Sequence, residues 1–216
     1  MIKRIIFDQD NTLMKWRDEY DETYKEALDE LGIKYTDEEL NRIIEVICSY
    51  ENYYDHFDKK SMAELIREKC NINVPDTFAD VWMKYLSNCY SEEDKEIIPT
   101  LEYLSKKYEL VILSNWFGYS QIERLKKLGM DKYFKEMYFT DEVKNKPNKE
   151  AFIKACGPYK PEECIMIGDS MNIDINGALN AGLDAILYDP KGMYEIKNRI
   201  KNMKELEEIL WNYMKN

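Results

Sequence analysis

Three short apolar runs in this chain stop abruptly on polar residues, with helical stretches between them. Ile5-Ile6-Phe7 ends at Asp8, Leu110-Val111-Ile112-Leu113 at Ser114-Asn115, and Cys164-Ile165-Met166-Ile167 at Gly168-Asp169. Continuous apolar runs of this length read as strands buried on both faces, as in a parallel sheet covered by helices. Met137-Tyr138-Phe139 reads as a weaker strand and Ala185-Ile186-Leu187-Tyr188 as the last. Strands alternating with helices predict an α/β fold built on a doubly wound parallel sheet. Ligands of such sheets bind outside the carboxyl ends of the strands, so the residues that stop the runs carry the functional expectation.

The first run is the most informative. Asp8 and Asp10 stand two apart, and the turn signal Asn11-Thr12 ends the strand near Asp8, so the chain can curl and bring Asp10 back toward it. Two like charges at about 4 Å and an effective dielectric near 20 repel by roughly 4 kcal/mol, a cost that a cation or a proton must offset. The spacing alone is weak evidence. With 42 acidic residues among 216, about eight such pairs arise by chance.

Between Tyr20 and about Cys89 no strand pattern occurs. Glu22–Leu31 stops at Gly32; Thr36–Tyr54 opens on Thr-Asp-Glu-Glu; Ser61 starts a helix to about Cys70; Thr77–Asn88 follows Asp76. Residues 16–96 are therefore predicted to be an all-helical insertion, with 1–15 and 97–216 forming the α/β core. Beyond it, helices are expected from Pro99 to Lys107, Tyr119 to Leu128, Lys149 to Cys156 (capped by Asn148) and Asn172 to Ala181. A final amphipathic stretch, Leu206, Ile209, Leu210 and Tyr213, is expected to dock on the core.

Composition narrows the partners. A net charge of −11 disfavours nucleic acid and anionic membrane, and no apolar run is long enough to span a bilayer. The N-terminus lacks a signal-peptide pattern, and five cysteines without C-x-x-C spacing read as reduced thiols of a cytoplasmic protein.

The strand-end residues make coherent chemistry. Asp8 and Asp169 are hard oxygen ligands of the kind Mg²⁺ takes. Asp174, five residues on, can bind the metal, orient its waters or cap a helix. Ser114 and a lysine from the loop after the weak strand, Lys144 or Lys146, can hold phosphate oxygens. Asp8 can attack phosphorus and form an aspartyl-phosphate; Asp10 can serve as general acid and then general base.

On these residues the chain resembles the haloacid dehalogenase superfamily, over its whole length apart from the insertion. The first motif matches Asp8-Gln9-Asp10-Asn11-Thr12, the second Ser114-Asn115, the third Lys146-Pro147, and the fourth Gly168-Asp169 with Asp174. The resemblance implies a three-layer Rossmann-like sandwich with a helical cap inserted after the first strand. It implies Asp8, Asp10, Ser114 and Lys146 as catalytic residues, and Ser114, Asn115 and Lys146 as phosphate-binding. Mg²⁺ would be held by Asp8, Asp169, Asp174 and the main-chain carbonyl of Asp10. It selects Lys146 over Lys144, because Lys146 directly precedes the proline. Dehalogenases of the superfamily lack the second acid, so Asp10 speaks against halide displacement.

The expected function is a Mg²⁺-dependent phosphatase of a small phosphorylated metabolite. The alternatives are a phosphomutase using the same intermediate and a non-catalytic binding module. Trp16, Arg17, Tyr20, Trp116 and Phe117 flank the first two motifs, as substrate contacts or as packing. The cluster Tyr53–Phe57, which holds the lone His56, is expected to help choose the substrate.

Overall fold

The computed structural model describes residues 1–16, 18–91 and 94–215, without the side chains of 18–19 and 212–215. Arg17 and the Tyr213 side chain, named above, lie outside the described residues. Six parallel strands form one sheet: β1 (Arg4–Phe7), β2 (Glu109–Ser114), β3 (Glu136–Phe139), β4 (Cys164–Gly168), β5 (Asp184–Tyr188) and β6 (Arg199–Ile200). Their spatial order is β3-β2-β1-β4-β5-β6. The first strand is thus central, and the winding reverses beside it. Phe7 is level with Ile112 on one side and Ile167 on the other, so Asp8, Ser114 and Asp169 emerge at one edge.

Alternate strand residues feed opposite layers. Ile5, Phe7, Ile112, Ile165, Ile167 and Ile186 pack against Leu101 and Leu104 of α5 (Ile97–Ser105), Leu125 of α6 (Gly118–Lys127) and Leu206 of α9 (Glu205–Lys215). On the other face, Ile6, Val111, Leu113, Met166 and Leu187 meet Phe152 of α7 (Lys149–Cys156) and Ala178 of α8 (Gly177–Ala181). Two covered faces are why these strands read as unbroken apolar runs. At the opposite end of the sheet, the fully buried Arg4 is matched by Glu109 (Nε–Oε1 3.1 Å), Glu136 (Nη1–Oε2 2.8 Å) and the Ala155 carbonyl (2.9 Å).

Four helices between β1 and α5 have a core of their own. They are α1 (Glu22–Glu30), α2 (Asp37–Cys48), α3 (Lys59–Cys70) and α4 (Phe78–Leu86). Trp82 lies at their centre, stacked on Tyr24 at 4.6 Å between ring centroids. The loop after β2 joins this core through Phe117, and Trp116 stands edge-on to Phe57 and Trp82. The chain's two passages between helices and sheet lie side by side, joined by Lys15 N to Ser91 O (3.3 Å) and Ser91 N to Lys15 O (3.0 Å).

Several boundaries differ from the sequence reading. The helix expected to reach Tyr54 ends at Cys48, because Ser49 Oγ bonds back to the Glu45 and Val46 carbonyls (2.8 and 3.1 Å) and a 3₁₀ turn follows. The next helix begins at Lys59, two residues earlier than expected, with Asp58 accepting from Ser61 N at 2.8 Å. The stretch 172–181 is a π-turn, Met171–Asn176, running into α8. Tyr188 does not end the last strand: β6 adds a two-residue pairing too short to show in periodicity. Among the described residues no helix is long and apolar enough to cross a membrane.

Candidate active site

The curl after β1 is tight. Asn11 takes a left-handed φ of 62°, and the Gln9 carbonyl accepts from Leu13 N (2.9 Å) and Met14 N (3.2 Å). This returns Thr12 Oγ1 to Asp8 Oδ2 at 3.1 Å. Lys146 Nζ then lies 2.6 Å from Asp8 Oδ1 and 2.7 Å from Asp174 Oδ1, all three side chains being nearly fully buried. Asp8, Asp169 and Asp174 each offer a carboxylate oxygen, and these lie within 4.8 Å of one another.

Asp174 reaches the cluster because the wide π-turn rolls it back over the strand end, where Ser170 N donates to its Oδ2 at 3.0 Å. Gly168 makes room for it. A Cβ there would sit 2.4 Å from the Asp174 carboxyl carbon, inside any tolerable contact. Gly168→Ala should therefore displace Asp174 from Lys146. The expected result is about 2–4 kcal/mol of lost stability in urea unfolding together with loss of activity. A fully active, equally stable variant would contradict this packing.

Three carboxylates, those of Asp8 and Asp174 buried and that of Asp169 half-buried, gather where one ammonium pairs with Asp8 and Asp174, so acids outnumber bases in the site. Burial, with Asp174 and then Asp169 adding to it, holds the Asp8 carboxyl above the usual range even though Lys146 pulls the other way. Burial and Asp174 push Asp169 up to about 6. For Lys146, burial opposes the charge, but Asp174 and Asp8 outweigh it and its pKa is raised. A cluster of hard oxygens with surplus charge suits a divalent cation: Asp8, Asp169 and Asp174 are the side chains that would hold Mg²⁺.

Asp10 stands apart. Its Oδ1 lies 2.7 Å from Arg124 Nη2 and its Oδ2 2.7 Å from Gln121 Nε2, both on α6, and its carboxylate is not one of the three clustered groups. Gln121 Nε2 also reaches Ser114 Oγ at 2.7 Å. Asn115 also anchors the loop: its amide accepts from Lys146 N (2.7 Å) and donates to Lys146 O (2.8 Å), which fixes the lysine's backbone. Lys144 points elsewhere, toward Glu150 (3.2 Å) and Asp55 (3.7 Å). Gln121 and Arg124 escaped the sequence reading. Their only signal is a polar pair at i and i+3 on a helix, which ordinarily reads as a solvated face.

A cavity of about 220 Å³ opens beside Asp10, lined by Trp16, Tyr20, Ile47, Cys48, Glu51, Asn115 and Trp116. A larger groove of about 830 Å³, past His56, Lys144 and Ile153, contains none of the clustered acids. The clustered acids line neither space, but the smaller one reaches Asp10 and Asn115, next to the strand ends. Of the expected Tyr53–Phe57 cluster, Phe57 is packed into the helical core and Tyr53 is half exposed to solvent; none of the five residues lines the smaller cavity.

A parallel sheet whose central strand ends in an acid, with a lysine and two further acids converging on it, defines a class of α/β hydrolases. Residues 5–188 match the family model described as haloacid dehalogenase-like hydrolase, and the chain belongs to that family. Over 198 residues it is 32% identical to the glyceraldehyde 3-phosphate phosphatase of Methanothermobacter thermautotrophicus, covering 88% of this chain and 86% of that protein. It is 26% identical to the phosphorylated carbohydrates phosphatase of Thermotoga maritima, covering 90% and 91%. The magnesium-bound structure of the HAD-hydrolase YfnB from Bacillus subtilis superposes with a TM-score of 0.72 at 21% identity, over 97% of this chain and 98% of that one.

Proposed function

We propose that this hydrolase is a Mg²⁺-dependent phosphatase of small phosphorylated metabolites, working through an aspartyl-phosphate on Asp8. The observation that carries the reading is the gathering of Asp8, Asp169 and Asp174, the first and last paired to Lys146, with a further acid, Asp10, held separately beside a cavity.

Asp8 attacks phosphorus, and the bond to the ester oxygen breaks as Asp10 gives that oxygen a proton. Asp10 then takes a proton from water, whose oxygen attacks the aspartyl-phosphate and frees Asp8. Ser114 and Lys146 hold the phosphoryl oxygens, and Asn115 keeps Lys146 in place. Asp8, Asp169, Asp174 and the Asp10 main-chain carbonyl would hold Mg²⁺, which would neutralise charge on the phosphoryl group.

The small cavity and the names of the relatives both support a short phosphorylated carbohydrate as substrate. A second phosphate, which a mutase must hold, would meet Asp10 and Glu51 and no lining lysine or arginine among the described residues. The five free cysteines support a reducing, cytoplasmic setting.

We place the domain boundary as the sequence suggests, residues 16–96 forming a cap that contributes Trp16, Tyr20, Ile47, Cys48 and Glu51 to the cavity. The sheet edge handles one phosphoryl group and a metal, so recognition of the leaving group falls to that lining. A phosphate-release panel of phosphorylated sugars, nucleotides and carboxylates, with and without Mg²⁺, tests the reading. Release from no member would leave a binding module. Substitutions at Trp16, Tyr20, Ile47 and Glu51 should change relative rates across the panel by tenfold or more. Ser114→Ala and Lys146→Ala should slow every substrate alike. Flat losses from the lining variants would place recognition elsewhere.

A further inference from the structure

Arg124 is fully buried, yet its Nε and Nη1 have no hydrogen-bond partner. Its guanidinium carbon lies over Trp16, 3.6 Å from the ring centroid, and its ion-pair partner is Asp10. A buried cation with unmatched donors is a poor choice for packing alone, since a leucine or methionine would fill the same space without desolvating a charge. Gln121, one helical turn away, bonds the other Asp10 oxygen and Ser114 Oγ. Its main-chain carbonyl in turn accepts from Gln9 Nε2 at 3.1 Å, so the clamp is tied to the residue between the two acids.

We infer that Arg124 and Gln121 are positioning residues for proton transfer at Asp10. They aim its carboxylate at the cavity that receives the leaving group and fix its distance from Ser114. Each Asp10 oxygen accepts one bond from the clamp and keeps a further lone pair, so the carboxyl can still carry a proton between ester oxygen and water. This rests on the role proposed above for Asp10, and the test separates the two.

The test compares glycerol phosphate, whose alkoxide must be protonated as it leaves, with p-nitrophenyl phosphate, whose phenolate needs no proton. Single-turnover release of the leaving group is measured at saturating Mg²⁺ for Asp10→Asn, Arg124→Ala, Arg124→Lys and Gln121→Leu. Arg124→Ala should lose about 10²–10³-fold in glycerol release but less than tenfold in the first turnover of p-nitrophenyl phosphate. A p-nitrophenolate burst should then be followed by slow turnover, because water attack also needs Asp10. Arg124→Lys, which keeps the cation, should recover part of the loss, and Gln121→Leu should show a smaller split of the same kind. Should Arg124→Ala fail to fold, the lysine and Gln121 variants carry the test. Equal losses on both substrates, or none, while Asp10→Asn shows the split, would overturn the inference. If Asp10→Asn itself shows no split, the role of Asp10 fails instead.

Discussion

Asp8→Asn should reduce turnover by about 10⁴–10⁶-fold, the scale on which loss of a nucleophile acts. The amide keeps the shape of the carboxylate and can stay beside Lys146, but it cannot attack phosphorus. Stability gives a control. Burial and the two neighbouring acids together outweigh the attraction of Lys146 on the Asp8 charge, so a neutral amide there should let the metal-free variant unfold at a higher urea concentration than the parent at neutral pH. Trapping with labelled substrate should recover phosphate on Asp8 of the parent protein. Phosphate on a serine or on His56 would refute the assignment.

Chelation should abolish activity, and Mg²⁺ should restore it about a hundredfold better than Ca²⁺. Ca²⁺ takes more ligands at longer distances, and a misplacement of about 1 Å at the nucleophile costs a factor of that order. The same cluster sets a pH dependence. Asp169 in the metal-free fold has its pKa pushed up to about 6 and Asp8 is raised too, while an unfolded chain releases these protons near pH 4. The folded state therefore binds more protons than the unfolded one across that window, so ∂ΔG/∂pH is negative. The contribution from Asp169 is present below pH 4 and is lost as pH rises through 6. It amounts to about 2–3 kcal/mol by the linkage of pKa to free energy. Mg²⁺ needs the ionised forms, so its stabilising effect should be larger at pH 8 than at pH 5.5 in calorimetric unfolding. A metal-induced rise in Tm that is equal at both values would mean that the carboxylates do not take up the ion.

The strand ends were legible because a buried parallel strand leaves two plain marks, an unbroken apolar run and the polar residue that stops it. Asp8, Ser114 and Asp169 come together as those marks predict, and Lys146 joins them from the loop after β3. From spacing alone Asp174 was legible only as an acid near a helix start, and its place in the metal set came from the family resemblance, since nothing in the spacing shows that a π-turn carries it back over Gly168. Gln121 and Arg124 were hidden because a buried polar pair on an amphipathic helix has the same spacing as an exposed one. The Tyr53–Phe57 cluster shows the converse difficulty: aromatic residues in an insertion look alike in sequence whether they face a ligand or, like Phe57, a hydrophobic core.

The central place of β1 has a consequence for the order in which the molecule is made. Arg4–Phe7 pairs with residues 109–112 on one side and 164–167 on the other. Such distant partners give the sheet a high contact order, whereas α1–α4 pack among near neighbours in the chain. At a synthesis rate of about 5–20 residues per second, the first strand waits roughly 10–30 s for its second partner to be made. Asp8 is therefore the first of the clustered residues to be translated and among the last to be enclosed. The helices can gather early, but Asp8 meets Asp169 only once most of the chain exists.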